Sequence, residues 1–433
     1  MIDSITLENF RCFLERQSAR LAPLTLLVGE NSTGKTSFLA AINAVARFAN
    51  EPGSNFEFKS GPFDLGTFYE IAHHRGGRGG RATSFKLGAS GKAKSTGQNW
   101  HLEAEFGQSQ SNPAIKKLDT AVGSSSVVWE SKEKGVEVHT QTPKGCWKIE
   151  RGAKENERSI IRSHDVVFRS FRKDFVPQND SLTMSDEDFS ELYSMSWILA
   201  RMIGGLPVAL APVRSRPQRT YDPGRTDLNH AGEDIPAELA ELALHNPAKW
   251  QELKKKMEEF GHSSGMFDEI RVRQYGKRGN EPFQIQVRKH GGNLKGPWRN
   301  LIDVGYGVSQ ILPLLAVFFE ASKPSLFLLQ QPEVHLHPSA QAALGSTLCQ
   351  IAGRQTQAIV ETHSDFLADR IRTVVRDKHS SLKPKDVSIL FFERRHLAVC
   401  IHSLEIDEQG NVMNAPSGYR QFFMDELKNT LGI

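Results

Sequence analysis

Several features of common protein classes are missing from this 433-residue sequence. Its four cysteines include no CxxC pair, which argues against a zinc site or a disulfide framework and favours a reducing compartment. No run of roughly 18 apolar residues predicts a transmembrane helix, and the N-terminus MIDSITLENFRCF lacks the apolar segment of a signal peptide. We therefore expect a cytoplasmic protein without a membrane partner.

Other patterns are absent as well. The sequence has no internal repeat, no heptad run long enough for a coiled-coil arm, and no Ser/His/Asp or Cys/His arrangement that would indicate a hydrolase. With 39% hydrophobic and 24% charged residues, it is typical of a globular protein with two or three domain-sized units or one large unit with insertions. The formal net charge of +4 allows nucleic acid as a partner without arguing for it.

The segment GENSTGKTS at 29–37 has the spacing of a phosphate-binding loop. Every fixed position of GxxxxGK[ST] is occupied, by Gly29, Gly34, Lys35 and Thr36, and an apolar strand before the loop and a helix after it argue against a chance match. In such a loop the backbone N–H groups and the lysine bind phosphate oxygens, and the threonine holds Mg²⁺. We therefore expect ATP and Mg²⁺ as cofactors. The remaining loop residues expected to contact the nucleotide are Asn31, Ser32, Thr33 and Ser37.

A second glycine-containing loop, DVGYGVSQ at 303–310, precedes the apolar helix ILPLLAVFF. Taken alone, it is a loop that caps a helix. The loop is a candidate phosphate site because it lies at a helix N-terminus, which favours negative charge, and because the apolar strand LFLLQQ follows about 20 residues later.

Alternating and apolar runs predict the strands of an α/β fold. Residues 1–14 alternate as one strand, and short alternating segments between 81 and 152 predict an antiparallel sheet. Three short apolar runs predict buried parallel strands that alternate with helices. These runs are 325–330, 357–361 and 387–393.

The middle of the chain is expected to be mainly helical. Residues 176–203 and 232–260 have helical patterns, with a Pro/Arg-rich extended loop between them, and 268–289 predicts a strand pair. The expected domains are an N-terminal ATPase lobe at 1–175, a helical insertion at 176–265 and a C-terminal ATPase lobe at 266–433.

The order of these motifs resembles that of the RecF/OLD/SMC-like ABC ATPases, over nearly the whole chain. The chain is similar in particular to short bacterial proteins of the "AAA family ATPase" group, which are associated with antiphage defence. The resemblance implies an ABC-type P-loop ATPase head with a mainly parallel core sheet, an antiparallel β-lobe and a helical insertion, without a Toprim domain or a coiled-coil arm. The segments that carry it are NFRCF at 9–13, GENSTGKTS, FDLGTF at 63–68, APVRSRPQRTY at 211–221, DVGYGVSQILPLL at 303–315, QQPEVHLHPSAQ at 330–341 and ETHSDFLADRI at 361–371.

The resemblance also implies roles for individual residues. Arg11 would touch a phosphate or the edge of the nucleotide, and His363 would be the switch histidine that senses the γ-phosphate. Gly307 and Ser309 would contact the γ-phosphate of a nucleotide held by the opposite protomer. The loop regions implied are a D-loop at 337–340 and a Q-loop region at 64–67, although the latter contains no glutamine.

The catalytic positions implied by the resemblance hold Gln330 and Gln331. In the family, the first is an acid that holds Mg²⁺ and the second is a glutamate that polarises the attacking water. An amide keeps the shape but accepts no proton, and losing a general base costs about 10²–10⁴ in rate. Three interpretations stay open: a natural nucleotide sensor with slow or no hydrolysis, an engineered trap, and rescue by Glu333. Two glutamines together favour the natural sensor.

Two basic segments and a histidine pair are also open to alternatives. HHRGGRGGR at 73–81 could touch nucleic acid or form a solvated loop, and we favour the loop. His335 and His337 could share a metal, but no third ligand is near in sequence, so structural roles are expected. A set of arginines could bind phosphate, DNA or an acidic partner, or pair with nearby acids. The arginines are Arg214, Arg216, Arg219 and Arg225, and the acids are Asp222 and Glu233.

These features together suggest an ATP-binding subunit that dimerises around nucleotide. It would form a homodimer, or an assembly of dimers, that controls or recruits an effector such as a nuclease or toxin encoded nearby. The alternative is a RecF-like DNA-repair ATPase that clamps DNA directly. The two glutamines argue against an active ATP-driven motor.

Overall fold

The structure of the protein is a computed structural model. It describes residues 1–50, 56–77, 80–93, 97–132, 135–152, 176–177, 205–212, 214, 216–222, 235–276, 281–320, 325–353, 356–377 and 379–419, together with residues 187, 190, 192, 195, 199 and 203. The helices are α1 (Lys35–Asn50), α2 (Phe68–Ile71), α3 (Ile235–His245), α4 (Pro247–Ser264), α5 (Tyr306–Glu320), α6 (Pro338–Ile351) and α7 (Asp365–Arg376).

The strands fall into two large sheets and three small ones. In the first half of the chain they are β1 (Ser4–Glu8), β2 (Gln17–Arg20), β3 (Leu24–Gly29), β4 (Lys59–Ser60), β5 (Phe63–Asp64), β6 (Ser84–Lys92), β7 (Asn99–Ser109), β8 (Asn112–Val122), β9 (Ser125–Lys132), β10 (Gly135–Thr142), β11 (Gly145–Gly152), β12 (Val176–Pro177) and β13 (Val208–Leu210). In the second half they are β14 (Glu269–Gln274), β15 (Phe283–Arg288), β16 (His290–Gly291), β17 (Leu294–Lys295), β18 (Arg299–Asn300), β19 (Ser325–Gln330), β20 (Thr356–Glu361), β21 (Val387–Arg395), β22 (Ala398–Ile406) and β23 (Val412–Met413).

A seven-stranded sheet forms the centre of the fold. Its order is β13–β19–β20–β3–β21–β22–β23, and the first five strands are parallel. Strands β19, β20 and β21 confirm the predicted apolar strands, which are buried on both faces as parallel strands usually are. Strand β13 lies inside 176–265, so the range expected to be a helical insertion also contributes to the core sheet.

The two faces of this sheet enter two different cores. On one face Leu27, Leu328 and Phe392 pack with helix α1 and with strands of the antiparallel sheet. On the other face Leu26 and Phe327 pack with helices α3 to α7. The alternation of side chains along each strand therefore builds a layered α/β core, and its five parallel strands all end at the same edge.

The β-lobe is a nine-stranded antiparallel sheet in the order β12–β11–β10–β9–β8–β7–β6–β1–β2. This confirms the antiparallel strands predicted between 81 and 152, but the sequence pattern missed β8. That strand contains Pro113, Lys116 and Lys117, and its first half faces solvent, so it lacks the apolar alternation of a half-buried strand.

Two local predictions need correction. The N-terminal strand ends at Glu8 rather than continuing to residue 14, because Asn9 and Arg11 adopt positive φ and Phe10 and Phe13 close a tight turn through paired backbone hydrogen bonds. The helical stretch at 232–260 is two helices. They break at Asn246, whose side chain caps α4 by accepting from the Lys249 backbone N–H, with proline as the first helical residue.

Candidate nucleotide site

The phosphate-loop segment joins strand β3 to helix α1. Gly34 has φ +87°, and a Cβ there would lie 2.2 Å from Cys12 Sγ, so only glycine fits this turn. Lys35 Nζ donates to the carbonyl oxygens of Gly29 (2.9 Å) and Glu30 (2.6 Å). Burial lowers the pKa of Lys35, and the nearby carboxylates oppose that effect. The loop therefore holds a single, partly desolvated ammonium at the N-terminus of α1.

A cavity of about 710 Å³ opens in front of this loop. Its lining brings together most of the loop residues predicted from the sequence, with Arg11 from the NFRCF turn. Gly29 contributes its carbonyl to Lys35, and Thr33 is buried with its hydroxyl donating to the Glu30 carbonyl (2.8 Å), so both shape the loop. The predicted loop residues that line the cavity are Asn31, Ser32, Gly34, Lys35, Thr36 and Ser37.

Arg11 lines the same cavity as the loop. It donates from Nη2 to the Leu65 carbonyl (2.8 Å), and its Nε is buried without a hydrogen-bond partner among the described residues. Leu65 belongs to the FDLGTF segment, so this segment orients Arg11 through its backbone although it has no Q-loop glutamine. Burial lowers the pKa of Arg11, while Glu70 acts in the opposite direction.

The two glutamines at the end of β19 have different surroundings. Gln330 is only 7% exposed, is not among the described residues that line the cavity, and keeps its Nε2 buried without a described partner. Gln331 has φ +41° and lines the cavity, and its backbone N–H donates to the Glu361 carbonyl (2.8 Å). Of the two glutamines, Gln331 is thus the one that lines the cavity.

The sequence interpretation assigned no role to Glu361, yet it is the carboxylate closest to the loop threonine. Thr36 Oγ1 donates to Glu361 Oε2 (2.9 Å), and the Gln331 side chain also hydrogen-bonds this carboxylate. Burial raises the pKa of Glu361, and these bonds together with Lys35 counteract the rise. Its position at the end of a strand beside the phosphate-loop strand was the available clue, because parallel strands end at one edge.

Glu333 occupies a different place. Its Oε1 accepts from Thr362 Oγ1 (2.8 Å) and from the His363 backbone N–H (2.9 Å), while Oε2 is buried with no partner in the described part of the chain. Burial raises the pKa of Glu333. Partial loss of solvation, together with the Lys35 charge, lowers the pKa of His363. Glu333 therefore positions the histidine segment rather than lining the cavity.

The predicted signature residues lie at the start of α5. A Cβ on Gly307 would lie 2.7 Å from the His335 carbonyl oxygen, so glycine permits close contact with the segment that follows β19. Ser309 is buried and donates from Oγ to the Tyr306 carbonyl (2.7 Å). Neither residue is among the described ones that line the cavity of the same chain, and their contact with a nucleotide of another protomer stays a prediction.

The histidine pair makes separate contacts. The His335 ring packs edge-on against Tyr306, with centroids 4.9 Å apart, and His337 caps α6 by accepting from the Ser339 backbone N–H (3.4 Å). Within the described ranges, no group of three or more His, Cys, Asp or Glu side chains is arranged around a metal position.

The arginine cluster is divided between a buried and an exposed role. Arg214 is 3% exposed, its backbone N–H donates to Gln310 Oε1 (2.9 Å), and its Nη1 donates to the Gln310 carbonyl (2.6 Å). Burial lowers the pKa of Arg214 to about 10, and Glu333 opposes this. Arg219 pairs with Asp303 through both terminal nitrogens (2.9 and 2.7 Å), an acid that the sequence interpretation had not proposed as a partner. Arg216 is exposed, and Arg225 and Glu233 lie outside the described residues.

One wall of the cavity comes from residues that the sequence interpretation missed. Tyr69 and Glu70 of α2 line it, with His74 and Arg81 from the ends of the basic segment. The Arg81 guanidinium lies 5.8 Å from the centroid of the Tyr69 ring, whose hydroxyl accepts from Gln108 Nε2 (2.7 Å). The segment predicted as a solvated loop thus pairs its ends as a β-bridge at the site, and its residues 78–79 lie outside the described ranges.

Two protein-family profiles match separate parts of the chain. Residues 1–140 match a family described as "AAA ATPase domain", and residues 214–369 match one described as "AAA domain, putative AbiEii toxin, Type IV TA system". The first range contains the phosphate loop, and the second contains the loop before α5, both glutamines and His363. Both parts of the chain therefore match ATPase-domain families. The sheet topology confirms the predicted α/β fold with a mainly parallel core sheet and an antiparallel β-lobe.

Solved structures with similar folds include several SMC heads. An SMC head bound to the C-terminal winged-helix domain of ScpA has 13% identity and a TM-score of 0.48, over 94% of this chain and 98% of that one. A head with a coiled coil and joint from Pyrococcus yayanosii has 9% identity and a TM-score of 0.47, over 98% and 99%. The Thermotoga maritima SMC head has 13% identity and a TM-score of 0.40, over 94% and 99%. No curated protein matches this chain. Among its described helices, none is long and apolar enough to span a membrane.

Proposed function

We propose that this protein binds ATP with Mg²⁺ in the cavity beside helix α1 and uses the bound nucleotide as a switch. The observation that carries the proposal is the set of groups on the cavity wall: a helix N-terminus, the Lys35 ammonium, the Thr36 hydroxyl and the Glu361 carboxylate. Backbone N–H groups and an ammonium suit phosphate, and a hydroxyl with one carboxylate suits Mg²⁺, which keeps most of its ligands as water and phosphate oxygen. The donor set therefore fits Mg·ATP.

Hydrolysis should be slow in this site. A general base must reach the attacking water, and the resemblance assigns this role to the position of Gln331, which lines the cavity and whose amide cannot accept a proton at neutral pH. Glu333 is not a substitute, because one of its oxygens already accepts two hydrogen bonds and the side chain is buried. Tight binding with slow turnover is the behaviour of a sensor rather than of a motor.

Dimerisation around ATP is the proposed output of the switch. The N-terminus of α5 has an exposed Tyr306 and leaves Gly305 and Gly307 accessible, whereas the cavity of the same chain is lined by other residues. A second protomer could bring this helix end to the γ-phosphate, where a helix N-terminus favours negative charge. The resulting homodimer would control or recruit an effector protein, such as a nuclease or toxin, in cytoplasmic antiphage defence.

The test of this proposal follows mass and phosphate release together. Purified protein is mixed with Mg²⁺ and either ATP or ADP, and light scattering and free phosphate are measured on the same sample. A mass increase with ATP only, without phosphate release, is the expected result. Steady phosphate release at ordinary ATPase rates, about 1–10³ per second, would contradict the sensor. Absence of any ATP-dependent mass change would contradict the dimer.

A basic, aromatic surface favours a second candidate, direct DNA binding. On the small sheet of β14, β15 and β18, the guanidinium groups of Arg271 and Arg288 lie 4.2 and 4.3 Å from the Trp298 ring centroid. Arg273, on the same face as Arg271, lies 5.9 Å from the exposed Tyr275 ring. Arginines interleaved with aromatic rings are typical of nucleic-acid surfaces.

The DNA candidate is tested by binding of a labelled duplex at several salt concentrations. A phosphate-contacting surface predicts an affinity that falls steeply with salt and a smaller salt slope in Arg273→Ala. Unchanged binding in the variant, or no binding at low salt, would remove this candidate and leave an acidic protein partner as the occupant of the surface.

A further inference from the structure

We propose that Glu361 is the metal-holding carboxylate of this site, so that Thr36 and Glu361 together hold the Mg²⁺ of the bound nucleotide in place of Gln330. The inference rests on the proposed ATP-binding function and deepens it. The acid that holds the metal would then lie on strand β20 instead of on the neighbouring strand β19.

The strand register supports this exchange. Gln330 and Glu361 are direct partners in the parallel ladder between β19 and β20, and Glu361 is also the partner of Leu27 in β3. Adjacent strands are about 4.8 Å apart, so the carboxylate lies at the same level as Gln330 but one strand closer to the phosphate loop. Gln330 provides no acid at the end of β19, but its ladder partner Glu361 provides one at the same level on β20.

The contact with Thr36 is the one that a metal site needs. Thr36 Oγ1 donates a hydrogen bond to Glu361 Oε2 at 2.9 Å. This bond leaves the lone pairs of the hydroxyl oxygen free for a cation. Mg²⁺ prefers oxygen ligands and is usually bound in proteins through one or two carboxylates together with substrate phosphates. Glu361 can take this place directly or through a metal-bound water.

The neighbouring polar groups cannot do the same. The Gln330 amide is neutral and buried outside the set of described cavity-lining residues. Glu333 Oε1 already accepts from Thr362 and from the backbone of His363. Of these three side chains, Glu361 is the one that both has a carboxyl group and lines the cavity.

The carboxylate of Glu361 predicts opposite effects on ATP binding in the absence and in the presence of metal. Without a divalent cation, a carboxylate on the cavity wall repels the phosphates of ATP and competes for Lys35, with which it interacts electrostatically. With a cation present, the same carboxylate attracts the Mg·ATP complex. Removing the charge should therefore strengthen ATP binding in the absence of metal and weaken it in the presence of metal, which loss of a purely structural contact would not do.

The experiment measures the affinity of full-length protein for a fluorescent ATP analogue, once with excess EDTA and once with Mg²⁺ or Mn²⁺. In Glu361→Gln, we expect equal or tighter binding in EDTA and an apparent metal affinity reduced by about 10–100-fold, as is usual when a side chain that supports a metal ligand is removed. The matched control is Glu30→Gln, which removes another charge that acts on Lys35 but is not the hydrogen-bond partner of Thr36, and it should keep the metal effect. Glu361→Asp, which keeps the charge on a shorter side chain, should fall between wild type and Gln.

The possible outcomes distinguish failure of the role assigned to Glu361 from failure of the proposed ATP-binding function. Wild-type protein that binds no ATP in either condition overturns the proposed function. Wild-type protein whose ATP affinity rises with metal, with the same rise in Glu361→Gln, overturns only the role of Glu361. Equal weakening with and without metal assigns Glu361 a structural role and also overturns the inference. If Glu361→Gln does not fold, Glu361→Asp decides: an unchanged metal affinity rejects the proposal.

Discussion

Gln331→Glu should convert this site from a nucleotide-binding switch into a faster ATPase. The side chain lines the cavity, and replacing its amide with a carboxylate supplies a group that can accept a proton from water. A general base contributes about 10²–10⁴ in rate, which corresponds to roughly 3–5 kcal/mol of barrier. The substitution should raise single-turnover phosphate release within this range.

The size of the expected rate gain depends on Glu361, which is the neighbour of Gln331. The side chain hydrogen-bonds to Glu361, so the new carboxylate would lie next to an existing one. Two unit charges about 4 Å apart repel by about 4 kcal/mol at an effective dielectric of 20. This repulsion favours a proton shared by the pair, and a bound divalent cation relieves it only partly. We therefore expect a gain near the lower end, about 10²-fold.

Gln330→Glu is the matched control for this prediction. It introduces the same charge one residue earlier, at a buried position outside the described cavity lining, so it should cost stability and leave the rate near that of wild type. The assay is phosphate release under single-turnover conditions, with ATP affinity measured for each variant. Activation by Gln330→Glu but not by Gln331→Glu would refute the assignment of the catalytic position. An unchanged rate in Gln331→Glu with normal ATP binding would also refute it.

The remaining predictions concern binding and stability. Lys35→Ala should abolish the ATP-induced rise in melting temperature, which for wild type corresponds to about 2.7 kcal/mol at a ligand concentration of 100 Kd, whereas exposed Lys59→Ala should keep it. Tyr69→Ala should weaken ATP binding by about 1–3 kcal/mol but leave inorganic triphosphate binding unchanged, if a base stacks on the exposed ring; equal losses for both ligands would exclude stacking. Arg214→Ala should lower the free energy of unfolding, measured by urea titration, by about 1.5–3 kcal/mol, because it removes the buried hydrogen bond from the charged guanidinium to the Gln310 carbonyl. Arg219→Ala should cost less than about 1 kcal/mol in the same urea titration, because its ion pair with Asp303 is exposed.

Sequence patterns predicted part of the core sheet, because several of its central strands are short apolar runs. Strands β19, β20 and β21 are buried on both faces, and such strands are readily recognised from composition. β8 was missed because much of its surface faces solvent and two lysines interrupt its alternation. The three residues of β13 were missed because so short an edge strand carries no periodicity.

The parts of the candidate site that consist of consecutive residues were predicted. The parts that bring together residues distant in sequence were missed. The phosphate loop needs nine consecutive residues, so its sequence alone indicates where Gly34, Lys35 and Thr36 will lie. Glu361 lies 325 residues from Thr36 in sequence, and its contact arises from the strand order rather than from a motif. Tyr69 and Arg81 reach the cavity only because the β-lobe packs beside the loop. Long-range contacts of this kind have no signature in a single sequence.

The strand order also explains why two glutamines need not abolish nucleotide binding. The acid that holds a metal and the acid that activates water make different demands: the first needs negative charge beside the loop hydroxyl, and the second needs a free lone pair facing the γ-phosphate. Glu361 meets the first demand because β20 lies between β19 and the phosphate-loop strand β3. Its carboxylate is occupied by Thr36 and Gln331, so the same group is badly placed to meet the second. A site with this division would bind Mg·ATP firmly and release phosphate slowly, as a nucleotide-dependent dimer switch requires.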